Sequence, residues 1–118
     1  MTVDGPRYQV LETDAALQDL TDIITYLTQQ LKTKQAAQQV LQAYEQAVDA
    51  LETFPFGFPL VQDQLFSFLG YRGIPVGSYV AFYAIDEVRH RVNIERVLHR
   101  CRNWTKLLSQ EDETDDVA

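Results

Sequence analysis

Cysteine is nearly absent from this chain: Cys101 is the single one in 118 residues. An internal disulfide is therefore excluded, which agrees with a reducing compartment. No apolar run approaches the ~18 residues of a membrane span. The opening MTVDGPRYQV has neither the cationic start nor the long apolar middle of a secretory signal, so the expected location is the cytosol, away from any membrane. With only five glycines and four prolines, the chain is not a low-complexity segment. No internal repeat is visible. No set of His, Cys and carboxylate residues has metal-ligand spacing, and no cofactor is implied. Positive charge is also scarce, with 10 Lys and Arg against 17 Asp and Glu, a net charge of -7. Such a balance argues against a polyanionic partner, which wants a basic footprint.

The distribution of charge reverses that argument. Residues 1–69 hold three basic and nine acidic side chains, residues 70–110 seven basic and three acidic, and residues 111–118 five acidic and none basic. The reading is one domain over 1–110 followed by a short acidic tail, 111–118. The tail is most simply a disordered solubilising end, and a tail folded back over the cationic surface is the alternative.

Periodicity assigns the elements. Residues 8–12 alternate weakly and suit a first strand. From Ala16 the positions Leu20, Ile23, Ile24, Leu27 and Leu31 recur at helical spacing, with Thr13 or Asp14 as N-cap. A second helical stripe runs through Ala37, Val40, Leu41, Tyr44, Ala47, Val48 and Leu51, with Thr33 as its cap. The short Lys32-Thr33 junction makes the two an antiparallel hairpin. Phe54-Pro55-Phe56-Gly57-Phe58-Pro59 ends the second helix, because each proline removes a donor. Its three phenylalanines read as a core plug at the sheet's edge, or as a stacking platform.

Three strands follow. Residues 70–76 form one, placed at an edge by Pro75. Gly77-Ser78 turns into a strand over 79–85, and a polar turn leads to the last strand over 91–98, which delivers His99. The fold class is α+β, with a helical hairpin on one face of a mainly antiparallel sheet of about four strands and a short C-terminal helical turn. Parity assigns Val80, Phe82 and Ala84 to one face and Tyr79, Ala81 and Tyr83 to the more polar, open one. Val92 and Ile94 join the core, so Arg91, Asn93, Glu95 and, if alternation persists, His99 point away from the helices. The pattern breaks at Arg96-Val97-Leu98, where a bulge is expected.

Taken together, the helical pair, Phe54-Pro55, Tyr71-Arg72, Tyr79-Val80-Ala81-Phe82-Tyr83 and the ending Val97-Leu98-His99-x-x-Arg102 resemble the RelE/ParE superfamily of type II toxin-antitoxin toxins. The likeness spans residues 8–108. It implies a small bacterial toxin held by a cognate antitoxin that wraps an extended or helical segment around it. RelE-like members cut messenger RNA on the ribosome, whereas ParE-like members inhibit DNA gyrase and cut nothing. The first mechanism is the one expected here; gyrase inhibition, or a scaffold that only binds an antitoxin, is the alternative.

For a RelE-like reaction, a ribose 2′-hydroxyl attacks the adjacent phosphate and leaves a 2′,3′-cyclic phosphate. That step needs a base, an acid and cations. The resemblance makes Arg72 the phosphate clamp and His99 the acid/base, with Arg96, Arg100 and Arg102 holding the RNA backbone and Tyr83 or Trp104 stacking on a base. Each also has a plainer role. Arg72 can anchor its strand to an acidic partner such as Glu95 or to the antitoxin, His99 can be a framework residue, Trp104 can be core, and His90 is an exposed turn residue. One departure stands out: residues 54–71 contain no Lys, Arg or Glu, so the expected base is missing.

Overall fold

The computed structural model describes residues 7–30, 32–61 and 70–99. Strand β1 (Gln9–Glu12) leads into helix α1 (Asp14–Thr25), which widens into a π-helical turn at Tyr26–Gln30. Helix α2 (Lys34–Thr53) returns along it and ends in a 3-10 turn at Pro55–Gly57. Strands β2 (Arg72–Val76), β3 (Tyr79–Asp86) and β4 (Arg91–His99) complete a sheet of order β1-β4-β3-β2. The β2–β3 and β3–β4 pairs are antiparallel, and β1 lies parallel to β4. Pro75 sits on the outer strand β2, where its missing donor disrupts no central ladder. Among the described residues, no helix is long and apolar enough to cross a membrane.

The apolar stripes of both helices converge on one face of the sheet. Leu20, Ile23, Leu27, Val40, Tyr44 and Leu51 bury against Ile74, Val76, Ala81, Tyr83, Val92, Ile94 and Val97. This corrects the parity expectation for β3. Ala81 and Tyr83 face the helices, while Val80 and Phe82 pack on the opposite face with Val61, Leu98 and Tyr71. That opposite face is thus partly covered by the segment before β2, which pairs with it through the Val61 N–H to the Tyr71 carbonyl and the Gly73 N–H to the Pro59 carbonyl.

The expected bulge exists, and it organises the domain. Phe82 pairs with Arg96 but Tyr83 pairs with Ile94, leaving Glu95 as the extra residue in β4. A bulge displaces backbone groups from the ladder, and α1 supplies partners for them. The Thr13 hydroxyl donates to the Glu95 carbonyl at 2.9 Å and accepts the Ala16 N–H at 3.0 Å as the N-cap. The Asp19 carboxylate accepts the Val97 N–H at 2.9 Å and two bonds from the Arg96 guanidinium.

Thr13→Ala should therefore cost more than a cap at a solvent-facing helix end, about 1–2 kcal/mol, because it removes both bonds. Thr13→Ser should recover most of the loss, and urea unfolding of the two variants checks it. Thr33, by contrast, is not a side-chain cap for α2. Its hydroxyl donates backwards to the Leu27 carbonyl at 3.1 Å, closing the π-helical turn, while Lys32 adopts φ 55 to reverse the chain.

Candidate functional site

Bulging β4 by one residue inverts every later side chain, and His99 is the one that matters. It pairs across from Tyr79, whose ring packs against the main core, so His99 faces the helices and not the open face. There it lines a cleft of about 490 Å³ between the sheet and the closed end of the helical hairpin. Tyr26 and Leu27 come from the π-helical turn, Ala36, Gln39 and Val40 from α2, and Gly77 and Ser78 from the β2–β3 turn. The His99 and Tyr79 rings meet edge to face at 5.2 Å. Burial holds the Tyr79 hydroxyl above its ordinary range, and Tyr26 adds to the effect.

A second hollow of about 500 Å³ shares Ala36 and Gln39 with the first and is lined by Lys32 and Lys34. The cleft therefore has an imidazole and hydroxyls inside and ammonium groups beside it. Sequence reasoning does not single out these lysines: both lie in the chain's acidic half, and Lys32-Thr33 reads only as a helix junction. The signal was present in their closeness to the hairpin turn.

Arg72 belongs to the other end of the molecule. It pairs with Tyr83, four residues along β3 from the Tyr79 opposite His99, so about 13 Å of strand separates the two positions. Its guanidinium donates to the Phe58 carbonyl at 2.6 Å and lies 5.4 Å from the Phe56 ring centroid. It anchors its strand, as the plainer reading had it, but to the aromatic loop and not to Glu95. The Glu95 carboxyl is half-buried at the bulge, where desolvation raises its pKa.

The remaining sequence candidates divide. Tyr83 is fully buried and donates its hydroxyl to the Pro55 carbonyl at 2.6 Å, so its ring has no face to offer a base. Arg96 is paired with Asp19 and holds α1 to β4. Arg100, Cys101, Arg102 and Trp104, with the acidic tail, lie outside the described residues. His90 is in the β3–β4 turn, as expected, but is half-buried: its ring stacks on Tyr8 at 3.8 Å, and its carbonyl accepts the Gln9 N–H at 3.0 Å. The loop phenylalanines are not all core plug, since Phe58 packs on the core whereas Phe54 and Phe56 are exposed.

Solved structures of similar fold include toxin-antitoxin complexes. The chain is similar to a chain of the RelBE2 toxin-antitoxin complex from Mycobacterium tuberculosis, with 22% identity, 84% of this chain and 98% of that one covered, and a TM-score of 0.58. Similarity to the chromosomal ParDE system from P. aeruginosa gives 16% identity, 78% and 95% coverage and a TM-score of 0.61. For the archaeal RelE-RelB complex from Pyrococcus horikoshii the values are 15%, 80% and 97%, and 0.52. No curated protein matches the chain by sequence. The family model described as the ParE toxin of the type II toxin-antitoxin system parDE matches residues 10–104, most of the chain and every described element but the first residue of β1. The chain belongs to the ParE toxin family of type II toxin-antitoxin systems.

Proposed function

We propose that this toxin acts by binding and inhibiting DNA gyrase, in the ParE manner, and is neutralised by a cognate antitoxin. One observation carries the choice against a ribonuclease: Arg72 on β2 and His99 on β4 are offset by about 13 Å along the strand direction, with β3 between them. Transfer of a ribose 2′-hydroxyl to its neighbouring phosphate needs the cation and the acid or base within hydrogen-bond reach of one phosphodiester. Arg72 is held by the Phe58 carbonyl, Arg96 by Asp19, and Tyr83 is closed into the core. These three groups build the fold, a use that favours recognition by the protein's surface over chemistry on a phosphodiester.

A second reading retains one specific support. His99 sits beside Tyr79 in a cleft with lysines at its flank, a setting in which an imidazole could exchange a proton with ribosome-bound messenger RNA. His99→Ala separates the two. Under the gyrase reading the purified chain blocks supercoiling, and His99→Ala blocks it to within about twofold, well under a tenfold change of 1.4 kcal/mol. Arrest of protein synthesis with unimpaired supercoiling, abolished by His99→Ala, would sink the gyrase reading and restore the nuclease.

A further inference from the structure

The closed end of the helical hairpin holds positive charge that the rest of the described fold does not answer. Residues 23–44 and 70–85, which supply all of the cleft wall except His99, contain no Asp or Glu in a chain with 17 of them. Lys32 and Lys34 are exposed at the adjoining hollow of about 500 Å³, and neither has an ion-pair partner among the described residues. Arg7, Arg89 and Arg96 are, by contrast, each paired with a carboxylate. Thr33, between the two lysines, turns its hydroxyl to the Leu27 carbonyl, so no side-chain cap offsets the positive start of α2. Solvated lysines need no partner, but this chain supplies one.

Residues 111–118, EDETDDVA, hold five carboxylates and no cation. The chain leaves the described fold at His99, the last residue of β4, which itself lines the cleft. The intervening residues 100–110 reach ~36 Å when fully extended and ~16 Å when helical. The hollow shares Ala36 and Gln39 with the cleft that His99 lines, so either length suffices. Residues 100–110 also hold three cations, Arg100, Arg102 and Lys106, and the five carboxylates exceed them by two, the number of lysines at the hollow. Because the two groups belong to one chain, they meet at an effective concentration of about a millimolar, and individually weak exposed ion pairs act together. The family match stops at residue 104, before the acidic run begins.

We infer that residues 111–116 dock on the Lys32 and Lys34 hollow of the same molecule, closing the mouth of the cleft and withdrawing both lysines from other anions. The contact is held by charge, so it releases as ionic strength rises. While it is docked, an acidic peptide or a phosphate backbone must displace it to enter, which lowers the apparent affinity of the cleft for such groups. The inference does not depend on the toxin's target.

The test places a nitroxide on the full chain carrying Cys101→Ser and Val117→Cys, and reads the paramagnetic loss of backbone amide signals. At low salt Thr33, Lys34, Gln35 and Gln39 should lose their signals, while Glu87 and Val88 in the β3–β4 turn should keep theirs. Lys32→Glu with Lys34→Glu should restore the lost signals, and so should high salt. Both lysines are exposed and a carboxylate suits the start of a helix, so that variant should melt no lower than the native chain. Replacing Glu111, Asp112, Glu113, Asp115 and Asp116 by their amides should let the chain bind a hexaglutamate peptide severalfold more tightly. Signal loss that is even over the fold or centred on another surface overturns the inference, and so does equal peptide affinity in the amide variant. If a nitroxide-bearing chain erases the same signals from an isotope-labelled chain that carries none, the contact belongs to a second copy and the inference falls.

Discussion

Asp19→Ala is expected to lower the free energy of unfolding by about 3–5 kcal/mol. Asp19 receives the Arg96 Nε at 2.7 Å, a second guanidinium nitrogen at 3.0 Å and the Val97 N–H at 2.9 Å. Its side chain is 12% exposed and that of Arg96 19%, so solvent replaces little of what the mutation removes. An exposed ion pair is worth ~1 kcal/mol or less; this one is a bidentate fork with a backbone donor added. The mutation leaves a largely buried guanidinium without its carboxylate, and detaches α1 from the bulge that turns His99 toward the cleft. Asp19→Asn retains an acceptor for Val97 and should lie between the two. The double replacement Asp19→Leu with Arg96→Met should recover much of the loss, because desolvating both charges offsets most of their attraction. Urea unfolding with an unchanged m-value checks the series. A loss under about 1 kcal/mol for Asp19→Ala would mean that the pair behaves as a surface contact.

That pair also shows where sequence reading stops. Helical spacing identified both helices, and the prolines placed the aromatic loop and the edge strand. Thr13 was legible as a cap because capping is local. Its second bond, to the Glu95 carbonyl 82 residues away, was not, and neither was the match of Arg96 with Asp19 across 77 residues. Counting charges by segment put Arg96 in a basic surface; only the fold brings it to its carboxylate. β3 failed for a different reason. Tyrosine is apolar in body and polar at its tip, so a Tyr-Ala-Tyr series reads as an outer face until the buried hydroxyl finds an acceptor. For Tyr83 that acceptor is the Pro55 carbonyl, which sequence does not advertise.

The site was partly legible for the same reasons. The resemblance singled out Arg72 and His99, and both are well-defined positions, but the register that separates them depends on which residues of β3 face each. One bulged residue in β4 decides the side of His99. A parity rule carried through position 95 turns it to the open face, whereas the structure turns it under the hairpin. Lys32 and Lys34 enter that neighbourhood because Lys32 takes a left-handed conformation at φ 55, a backbone choice that the Lys-Thr-Lys sequence does not specify.

Tyr83→Ala is expected to cost about 3–5 kcal/mol, and the hydroxyl makes the loss separable into two parts. The ring is fully buried among β3, β4 and the end of α2, and its truncation leaves a cavity that the short Pro55–Gly57 turn would collapse into only in part. Tyr83→Phe keeps the ring and removes the bond to the Pro55 carbonyl, for about 1–2 kcal/mol. Burial pushes the Tyr83 hydroxyl from 10.0 up to about 12, against the opposing influence of the nearby Arg72 charge. The native state therefore keeps a proton that the unfolded chain has released between those values. Stability from this group is complete below pH 10 and is lost as pH rises toward about 12. Tyr44 acts in the same direction, raised by burial and then by its 2.6 Å hydrogen bond to Glu12 and that carboxylate's charge. Denaturant unfolding across the alkaline range should show native stability declining steeply while Tyr83→Phe declines less, the two curves converging as the native hydroxyl ionises. Parallel curves would show that Tyr83 loses its proton as readily in the folded chain as in the unfolded one, and would place the alkaline sensitivity on Tyr44.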